Sequence, residues 1–316
     1  MRLFLGVDGG QSSTTALIAD ETGNVLGTGS GGPCNHVGAS EGRAKLIAAV
    51  SECVGKACEQ AGLDPSTTHY EAACFGMSGG PADKKSILSE ILSVDELVVT
   101  HDGMIALAGA MAGGPGIITI GGTGSIAFGR GIDGKFARAG GWGYIFGDEG
   151  GGFDLSRQAL RAALRMEEGW GPQTRLRQKF LDITGAKDIN EVLHRFYTTD
   201  YPRQKVATYS RIVTEAAKES DSVALGILLK AARELALYAQ AVHRQVFKSG
   251  EDAQVAYIGG VFRSDLLLEH FQRAVEEIPG VKCGPPVYGP AAGALLEALR
   301  AKGLRPPLKN LPEFKR

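Results

Sequence analysis

The fold of this chain is indicated first by residues 3–24, which read LFLGVDGGQSSTTALIADETGN. An apolar run over Leu3–Val7 enters a loop of aspartate, glycine and hydroxyl residues. A second apolar run covers Thr15–Ala19, and the turn Glu21–Asn24 follows. This order predicts two strands joined by a small-residue loop, with a tight turn after the second strand. Backbone N–H groups and hydroxyls in such a loop can approach a phosphate closely.

The same pattern occurs a second time in the chain. Gly116–Ile120 is typical of a strand, Gly121–Ser125 of a Gly/Ser/Thr loop, Ile126–Phe128 of another strand and Asp133–Lys135 of a turn. Two such hairpins, one in each half of the chain, predict a pair of related domains that grip the phosphates of a nucleotide.

Length and composition set the class of protein. The 316 residues suit two domains, and the hydrophobic share of 43% and charged share of 22% are ordinary for a globular protein. The net charge of −1 gives no basic field for nucleic acid. No apolar run approaches the roughly 18 residues of a membrane span, and the first residues lack the pattern of a secretory signal. We therefore expect a soluble, cytoplasmic protein.

The five cysteines predict neither a metal site nor a disulfide framework. Cys53 and Cys58 are five residues apart on a predicted helix and so point in different directions. Cys34, Cys74 and Cys283 are isolated in the sequence. We expect thiols that act as small apolar side chains in a reducing compartment.

Hydrophobic periodicity predicts alternating strands and helices along the rest of the chain. The expected helices cover residues 40–61, with Ser40 as N-cap, 84–92, 105–111, 222–248 and 290–302, and the expected buried strands cover residues 72–77, 96–100 and 254–258. The helix-stopping segment Gly113-Gly114-Pro115 marks a domain boundary. We predict an α/β protein with an N-terminal lobe of residues 1–114 and a larger C-terminal lobe of residues 115–316. The last helix is a candidate to pack back on the N-terminal lobe.

Two aspartates at the ends of predicted strands are candidates for phosphate chemistry. Asp8 ends the first strand, where a carboxylate can hold a hydrated Mg²⁺ beside the phosphates. Active groups collect at such strand ends in open α/β sheets. Asp102 follows the strand of residues 96–100 and is placed to accept a proton from an attacking hydroxyl. The competing interpretation is structural, with Asp8 capping a turn and Asp102 capping the next helix.

Residues 140–150 are dense in glycine around one indole and two acids. Such a segment cannot form a core element, because it has few side chains to bury and a large backbone entropy. Trp142 offers a flat apolar face for a sugar ring or an acyl group, and Asp148 can accept hydrogen bonds from sugar hydroxyls. Asn35 is a second polar candidate. His36 and His101 are weaker, since no cysteine or carboxylate lies at ligand spacing from them.

A competing motif is the segment Gly76-Met77-Ser78-Gly79-Gly80, which fits the G-x-S-x-G pattern of a hydrolase nucleophile. Asp102 with His243 or His270 would have to complete the triad. His243 lies in a predicted helix, where a packing role is expected. The hydrolase interpretation also leaves both hairpins unexplained, so we do not favour it.

Taken together, the motifs resemble those of the BadF/BadG/BcrA/BcrD-type group in the sugar kinase, Hsp70 and actin superfamily, and within it the N-acetylglucosamine kinases. The resemblance extends over essentially the whole chain, and it is specific through the order and spacing of its motifs. These are Gly6-Val7-Asp8-Gly9-Gly10, Asn35-His36, Ser78-Gly79-Gly80, Thr100-His101-Asp102, Gly122-Thr123-Gly124-Ser125, Gly140-Gly141-Trp142-Gly143, Gly147-Asp148-Glu149-Gly150 and Gly259-Gly260-Val261.

The resemblance implies a fold, two substrates and an assembly. The fold is two ribonuclease-H-like, actin-like ATPase lobes around a nucleotide and sugar cleft that closes on substrate. The substrates are ATP, with Mg²⁺, and an amino sugar, and a homodimer through the larger lobe is usual in the family.

The resemblance also implies a role for each matching residue. Asp102 matches the family's catalytic base, and Asp8, the candidate to hold Mg²⁺ through water, belongs to the first phosphate-binding loop. The phosphate-binding loops comprise Asp8, Gly9, Gly10, Gln11, Ser12, Gly122, Thr123 and Gly124, and Gly259-Gly260 lies near the adenosine. The residues that match the amino-sugar contacts of the family are Asn35, Gly141, Trp142, Gly143 and Asp148.

The chain departs from the family pattern at two places. Gln11-Ser12 replaces a third loop glycine followed by threonine, which keeps the hydroxyl in a less flexible loop. Ile126 stands where N-acetylglucosamine kinases tend to have an asparagine that touches the sugar. N-acetylglucosamine remains the expected substrate because of the intact Gly-Gly-Trp-Gly segment. Glucosamine, another N-acylated amino sugar or a muramic derivative stays open as an alternative.

The expected reaction is direct, in-line transfer of a phosphoryl group to the 6-hydroxyl of the sugar, with Asp102 accepting the proton. Two other classes stay open. The superfamily includes ATPases that activate 2-hydroxyacyl-CoA dehydratases, which need cysteines for an iron–sulfur cluster, and this sequence has no suitable pair. It also includes nucleotide-binding regulators, which have no need of a sugar shelf such as Trp142.

Overall fold

The computed structural model of the chain describes residues 1–10, 13–34, 39–77, 84–248 and 250–313. The chain forms two compact units, one of residues 1–114 and 286–316 and the other of residues 115–285. It therefore leaves the first unit at Gly114 and returns to it after Pro285. The second unit differs from the predicted C-terminal lobe of residues 115–316 by the last segment, which contains the final helix.

The described residues contain ten strands and eleven α-helices. The strands are β1 (Leu3–Gly9), β2 (Thr14–Asp20), β3 (Val25–Gly31), β4 (His69–Met77), β5 (Ser93–His101), β6 (Gly116–Gly121), β7 (Ser125–Arg130), β8 (Phe136–Gly140), β9 (Ala253–Ile258) and β10 (Val281–Gly284). The helices are α1 (Ala39–Ala61), α2 (Lys84–Ile91), α3 (Asp102–Ala110), α4 (Gly152–Glu167), α5 (Leu176–Thr184), α6 (Ile189–Phe196), α7 (Arg203–Thr208), α8 (Arg211–Lys218), α9 (Ser222–Val246), α10 (Asp265–Glu276) and α11 (Pro290–Ala301). A short 3₁₀ turn covers Gly260–Arg263.

The elements expected from periodicity are all present, with ends that differ by a few residues. The expectation for Ser40 is wrong, because α1 begins at Ala39 and Ser40 lies in its first turn rather than at its N-cap. The patterns do not predict the third strand of either sheet, β3 and β8.

Strand β3 escapes prediction because it alternates glycine with other residues. Its inward face consists of Gly27, Gly29 and Gly31, which lie directly against α1. A methyl group built at Gly29 would come within 1.9 Å of the Cys53 carbonyl oxygen, and one at Gly27 within 2.0 Å of the Ala57 oxygen. The helix therefore packs backbone to backbone on this strand, and the face carries no apolar side chains to reveal it.

The sheet of the first unit has the strand order β3-β2-β1-β4-β5. Strands β1, β2 and β3 pair antiparallel, while β4 and β5 extend the sheet parallel to β1. Strand β1 is buried on both faces. Leu3, Leu5 and Val7 join the cluster beneath α1, whereas Phe4 joins α11 residues such as Leu295 on the opposite face. Helices on both faces of a sheet produce this continuous apolar run.

The sheet of the second unit repeats this arrangement, with the order β10-β9-β6-β7-β8. Strands β6, β7 and β8 pair antiparallel, and β9 and β10 extend the sheet parallel to β6. Helix α9 packs against β6, β7 and β8, and its buried stripe includes Leu228, Leu235 and Val242. The predicted α/β class with two related lobes is confirmed. None of the helices in the described ranges is long and apolar enough to cross a membrane.

Four of the five cysteines, at positions 34, 53, 58 and 74, are buried, and Cys283 is partly buried. Burial raises the pKa of the Cys53 and Cys283 thiols to about 12. These thiols behave as small apolar side chains, as the sequence predicts.

Candidate functional site

The two candidate carboxylates of the first unit lie at the same edge of its sheet. Asp8 on β1 is in register with Gly76 on β4, and Gly76 is in register with Thr100 on β5. Asp102 follows two residues later as the first residue of α3. Because β1, β4 and β5 are parallel, their carboxyl ends meet at this edge, where open α/β sheets place their ligands.

Asp102 is exposed and does not serve as the helix cap. The N-cap position of α3 belongs to His101, which makes no side-chain capping bond. Asp102 instead lies in the first helical turn and accepts a hydrogen bond from the Gly103 N–H at 2.8 Å. Its remaining oxygen lone pairs are available to a substrate hydroxyl.

Asp8 is a largely buried carboxylate with a raised pKa. Burial raises the pKa of Asp8 from 3.8 to about 6, and the negative charge of Asp102 contributes to the same shift. Among the described residues, no hydrogen-bond donor satisfies its oxygens. A cation bound at Asp8 would relieve both effects, and one carboxylate with open coordination positions is the donor set that suits hydrated Mg²⁺.

A cavity of about 760 Å³ in the first unit reaches Asp8. Its wall includes Thr15, Thr28 and Tyr288, and it extends to Glu313 near the described end of the chain. The return of residues 286–316 to this unit therefore shapes the surroundings of Asp8.

Lys84 is a charged residue near Asp102 that sequence reasoning treats only as the start of a helix. It is the first residue of α2, and only 8% of its surface is exposed. Burial lowers the pKa of its ammonium group, while Asp102 and Cys34 oppose that shift. Burial of its charge is what marks Lys84 as a candidate functional residue, and burial cannot be read from a single sequence.

In the second unit, the loop between β6 and β7 is held by backbone bonds. Gly122 N–H donates to the Gly124 oxygen at 2.9 Å. The Gly152 and Phe153 N–H groups, at the start of α4, donate to the oxygens of Gly122 and Thr123 at 2.8 and 3.0 Å. This loop is therefore fixed to the N-terminus of α4 by the first two N–H groups of the helix.

Gly259 and Gly260 lie beside this loop. Gly259 has a φ of +116°, and a methyl group there would come within 2.3 Å of the Gly121 carbonyl oxygen. Only glycine suits both the conformation and the close approach. The parallel pairing of β6 and β9 brings the two Gly segments, predicted from distant parts of the sequence, to one sheet edge.

A cavity of about 600 Å³ opens at this edge. Gly122, Thr123 and Gly260 form part of its wall, and α7 and α8 form another part. Three cationic residues line it, Arg211, Lys218 and Arg263. The motif analysis does not identify these cations. Arg211 and Lys218 lie on α8, which carries no recognisable nucleotide motif, and Arg263 ends the 3₁₀ turn that begins at Gly260. Their charge suits a polyphosphate ligand.

Asp148 lies beneath the Gly loop. It is 4% exposed and has a left-handed backbone with a φ of +62°. Its Oδ2 accepts from the Arg203 guanidinium at 2.9 Å, and its Oδ1 accepts from the Ser125 N–H at 3.4 Å. A methyl group at Gly124 would come within 2.4 to 2.7 Å of the carboxylate. In this arrangement Asp148 primarily braces the loop, and two of its lone pairs are already used.

The glycine-rich segment of residues 140–147 presents Trp142 to solvent, with 65% of its surface exposed. The Arg138 guanidinium lies 4.9 Å from the Trp142 ring centroid. Gly141, with a φ of +71°, lies against Ile126, since a methyl group there would be 2.4 Å from Ile126 Cδ1. Ile126 therefore presents an apolar surface to this segment where an asparagine would present hydrogen-bonding groups. Gly143 is likewise left-handed and unobstructed.

The predicted residues thus group by unit. Asp8, Gly9, Gly10 and Asp102 lie at the edge of the first sheet, and Gly122, Thr123, Gly124, Gly141, Trp142, Gly143, Asp148, Gly259 and Gly260 lie in the second unit. Gln11, Ser12 and Asn35 fall outside the described residues, as does Ser78 of the hydrolase motif.

His243, which a hydrolase triad would require, is a core residue. It is buried within α9 and stacks on Phe247 with ring centroids 5.4 Å apart. Burial lowers the pKa of its imidazole. These contacts support the packing role expected from its place in a helix.

Comparisons with known proteins agree on one family. Residues 5–298 match the profile of the BadF/BadG/BcrA/BcrD ATPase family. An N-acetylmuramic acid/N-acetylglucosamine kinase of Clostridium acetobutylicum is 32% identical over 94% of this chain and 98% of its own length. An N-acetyl-D-glucosamine kinase of Dictyostelium discoideum is 28% identical over 95% and 98%.

The fold is similar to that of a solved relative. A Chromobacterium violaceum protein assigned as an N-acetylglucosamine kinase superposes with a TM-score of 0.72 at 28% identity, covering 94% of this chain and 98% of that one. The resemblance in sequence and the resemblance in fold therefore both extend over nearly the whole chain.

Proposed function

The chain belongs to the BadF/BadG/BcrA/BcrD ATPase family, and we propose on that premise that it transfers the terminal phosphoryl group of ATP to the 6-hydroxyl of N-acetylglucosamine. Relatives named as N-acetylglucosamine kinases align with nearly the entire chain. The observation in the structure that most supports a kinase is the placement of Asp8 and Asp102 at one sheet edge.

In this proposal Asp102 is the general base. Its carboxylate accepts the proton of the sugar 6-hydroxyl as the oxygen attacks phosphorus. The hydrogen bond from Gly103 N–H fixes one carboxylate oxygen, which leaves the other to meet the hydroxyl.

Asp8 is the proposed holder of Mg²⁺, through water. When bound there, Mg²⁺ would neutralise charge that develops on the phosphate oxygens. Asp8 orients the ion's water shell and keeps its own negative charge close to the reacting groups. The largely buried position and the open carboxylate oxygens suit this task.

The second unit binds the nucleotide and the sugar in this proposal. The backbone N–H groups and the Thr123 hydroxyl of the Gly loop contact the phosphates. Gly259-Gly260 and helices α7 and α8 surround the adenosine, and the cations of that cavity add affinity for the phosphates. Trp142 supplies an apolar shelf for the sugar ring, with Gly141, Gly143, Asp148 and Asn35 as further contacts.

The test is coupled ADP release from Mg·ATP with a panel of sugars. The panel contains N-acetylglucosamine, glucosamine, N-acetylmannosamine, N-acetylmuramic acid and glucose. We expect selective turnover of an N-acetylated amino sugar, with the 6-phosphate as product. Ile126 is apolar where an asparagine would bind the sugar through hydrogen bonds. We expect this apolar surface to accept an N-acetyl group more readily than the amine of glucosamine, so glucosamine should be a poorer substrate. ATP hydrolysis at one rate with every sugar and without sugar would overturn the proposal.

The remaining features expected from the family are part of the proposal. We propose a homodimer in the cytoplasm, with ATP and the sugar as its small-molecule ligands. Sedimentation at a mass of twice 33.2 kDa would support the dimer, and a single-chain mass across a wide concentration range would contradict it.

A further inference from the structure

Arg203 connects two parts of the second unit that the sequence does not associate. It is the first residue of α7, a helix whose residues Gln204, Ala207 and Thr208 line the cavity beside the Gly loop. Its guanidinium reaches away from that cavity to the Asp148 carboxylate, with Nη2 2.9 Å from Oδ2. One side chain therefore joins α7, in the wall of this cavity, to Asp148, which directly follows the glycine-rich residues 140–147. We call residues 140–147 the sugar segment.

The Asp148 end of this link is held tightly. The carboxylate is buried, and apart from the 3.4 Å bond from Ser125 N–H, Arg203 is the only hydrogen-bond donor to it among the described residues. A buried carboxylate that loses its cation is left uncompensated at a high cost. The left-handed backbone of Asp148 is also strained for a residue with a Cβ, and such a conformation persists only when its surroundings fix it.

Arg203 also contacts the sugar segment directly. Its guanidinium carbon lies 5.4 Å from the centroid of the Tyr144 ring, two residues after Trp142. Tyr144 packs edge-on against Phe153 at a centroid distance of 5.2 Å. Phe153 in turn donates its N–H to the Thr123 oxygen of the Gly loop. The Arg203 guanidinium thus contacts the glycine-rich segment directly, and it is connected to the Gly loop indirectly, through Tyr144 and Phe153.

We propose that Arg203 is a positioning residue through which nucleotide and amino sugar bind cooperatively. This inference rests on the proposed kinase function. A nucleotide that orders α7 fixes Arg203, and Arg203 then fixes Asp148, Tyr144 and the segment that carries Trp142. The sugar site is thereby partly organised before the sugar arrives, so its ordering cost falls. By reciprocity, the sugar strengthens nucleotide binding by the same factor.

Arg157 offers a matched control. Like Arg203, it pairs with an aspartate that is 4% exposed, since its Nη2 lies 2.6 Å from Asp154 Oδ1. It also contacts Tyr144, by donating to the backbone oxygen at 3.4 Å. Both arginines have a buried Nε without a partner in the described residues. Arg157 differs in its position, because it belongs to α4 rather than to α7, and its hydrogen bonds among the described residues go to Asp154 and Tyr144.

The experiment measures the dissociation constant of N-acetylglucosamine by calorimetry, with and without saturating Mg·ADP. It is performed on the wild-type protein, Arg203→Met, Arg203→Lys and Arg157→Met. For the wild type we expect sugar binding to tighten by at least about fivefold with Mg·ADP, within the usual range of such coupling. Arg203→Met should bring this ratio close to one, Arg203→Lys should restore part of it, and Arg157→Met should retain the wild-type ratio.

Each outcome decides between the alternatives. A wild-type ratio of one, a wild-type ratio in Arg203→Met or an equal loss in Arg157→Met would overturn the inference. If Arg203→Met does not fold, the test rests on the coupling ratio of Arg203→Lys. Lysine keeps the charge but lacks the planar group that spans Asp148 and Tyr144, so this ratio should lie between one and the wild-type value. A protein that binds none of the panel sugars would instead contradict the proposed function itself.

Discussion

The two units build the same sheet and place a carboxylate near its edge, yet the two carboxylates are in opposite states. Asp8 in the first unit has no hydrogen-bond donor among the described residues, and its pKa is raised to about 6. Asp148 in the second unit is paired with Arg203 and bonded to Ser125 N–H. Among the described residues, Asp8 has no hydrogen-bond donor, whereas Asp148 already accepts two hydrogen bonds from the protein.

This difference indicates that the two related sheets use their carboxylates for different purposes. The first unit keeps Asp8 close enough to Asp102 for the negative charge of Asp102 to raise the pKa of Asp8, a costly arrangement that suits a metal ion and a proton transfer. The second unit uses its carboxylate to fix glycine segments, which have a large backbone entropy when free. We therefore expect substitutions in the first unit to affect chemistry and substitutions in the second to affect stability and binding.

The largest expected effect is that of Asp102→Asn. Removing the general base should lower kcat by about 10²- to 10⁴-fold, while the dissociation constant of the sugar changes little. Steady-state ADP release and sugar calorimetry measure the two quantities. Asp95→Asn, an exposed position on the same strand β5, is the control and should keep wild-type turnover. Near-normal kcat in Asp102→Asn would remove this residue from the mechanism.

The next effect is that of Asp8→Asn on metal-dependent activity. The amide lacks the charge that holds hydrated Mg²⁺, and a loss of a few kcal/mol of charge stabilisation corresponds to about a hundredfold or more in kcat. The Mg²⁺ concentration for half-maximal activity should rise as well. Titration of activity with MgCl₂ tests both points. A variant with unchanged kcat and unchanged Mg²⁺ dependence would show that Asp8 does not hold the metal.

A smaller effect is expected when the second unit's carboxylate is disturbed through the loop above it. Gly124→Ala places a methyl group 2.4 to 2.7 Å from the Asp148 carboxylate. Overpacking of this kind costs about 1–3 kcal/mol. Gly122→Ala, in the same loop, meets no atom within 4 Å and serves as the control. Thermal unfolding should show a lower Tm for Gly124→Ala alone, and equal Tm values for both variants would contradict the close contact.

The sequence alone predicts a large part of this architecture. The repeated order of strand, Gly loop and strand identifies both hairpins, and the positions of Asp8 and Asp102 after parallel strands place them at one edge. These predictions succeed because they depend on local pattern and on the geometry of parallel sheets. The same reasoning finds α9 from its long apolar stripe.

What the sequence does not predict depends on contacts between distant residues. The pairing of Arg203 with Asp148 spans 55 positions, and an arginine after a proline carries no local signal of it. The burial of Lys84 and the cations Arg211, Lys218 and Arg263 around one cavity are likewise properties of the packed chain. Polarity makes Asp148 a candidate sugar contact, but its pairing with Arg203 and its closeness to Gly124 are visible only in the packed chain.

The smallest expected effect is a pH dependence of stability that belongs to Asp8. The folded-state pKa of Asp8 is about 6, above the value of 3.8, so the folded protein binds this proton more strongly than the unfolded chain. Below pH 3.8 both states are protonated. Between pH 3.8 and 6 the unfolded chain releases the proton first, and ionisation of Asp8 therefore lowers the free energy of unfolding as pH rises.

Asp8→Asn removes this titration and isolates its contribution. In metal-free buffer, the variant should unfold at a higher temperature than the wild type at pH 7, by a few degrees for a protein of this size. The difference in Tm should shrink as the pH falls through 6 and vanish below about 4, where the wild-type carboxyl is also neutral. Mg²⁺ should raise the Tm of the wild type at pH 7 and leave that of the variant unchanged, because binding to the folded state alone is stabilising. A Tm difference that is constant from pH 4 to 8 would mean that burial does not destabilise the ionised carboxylate of Asp8. Asp8 and Asp148 would then differ only in their hydrogen-bond partners.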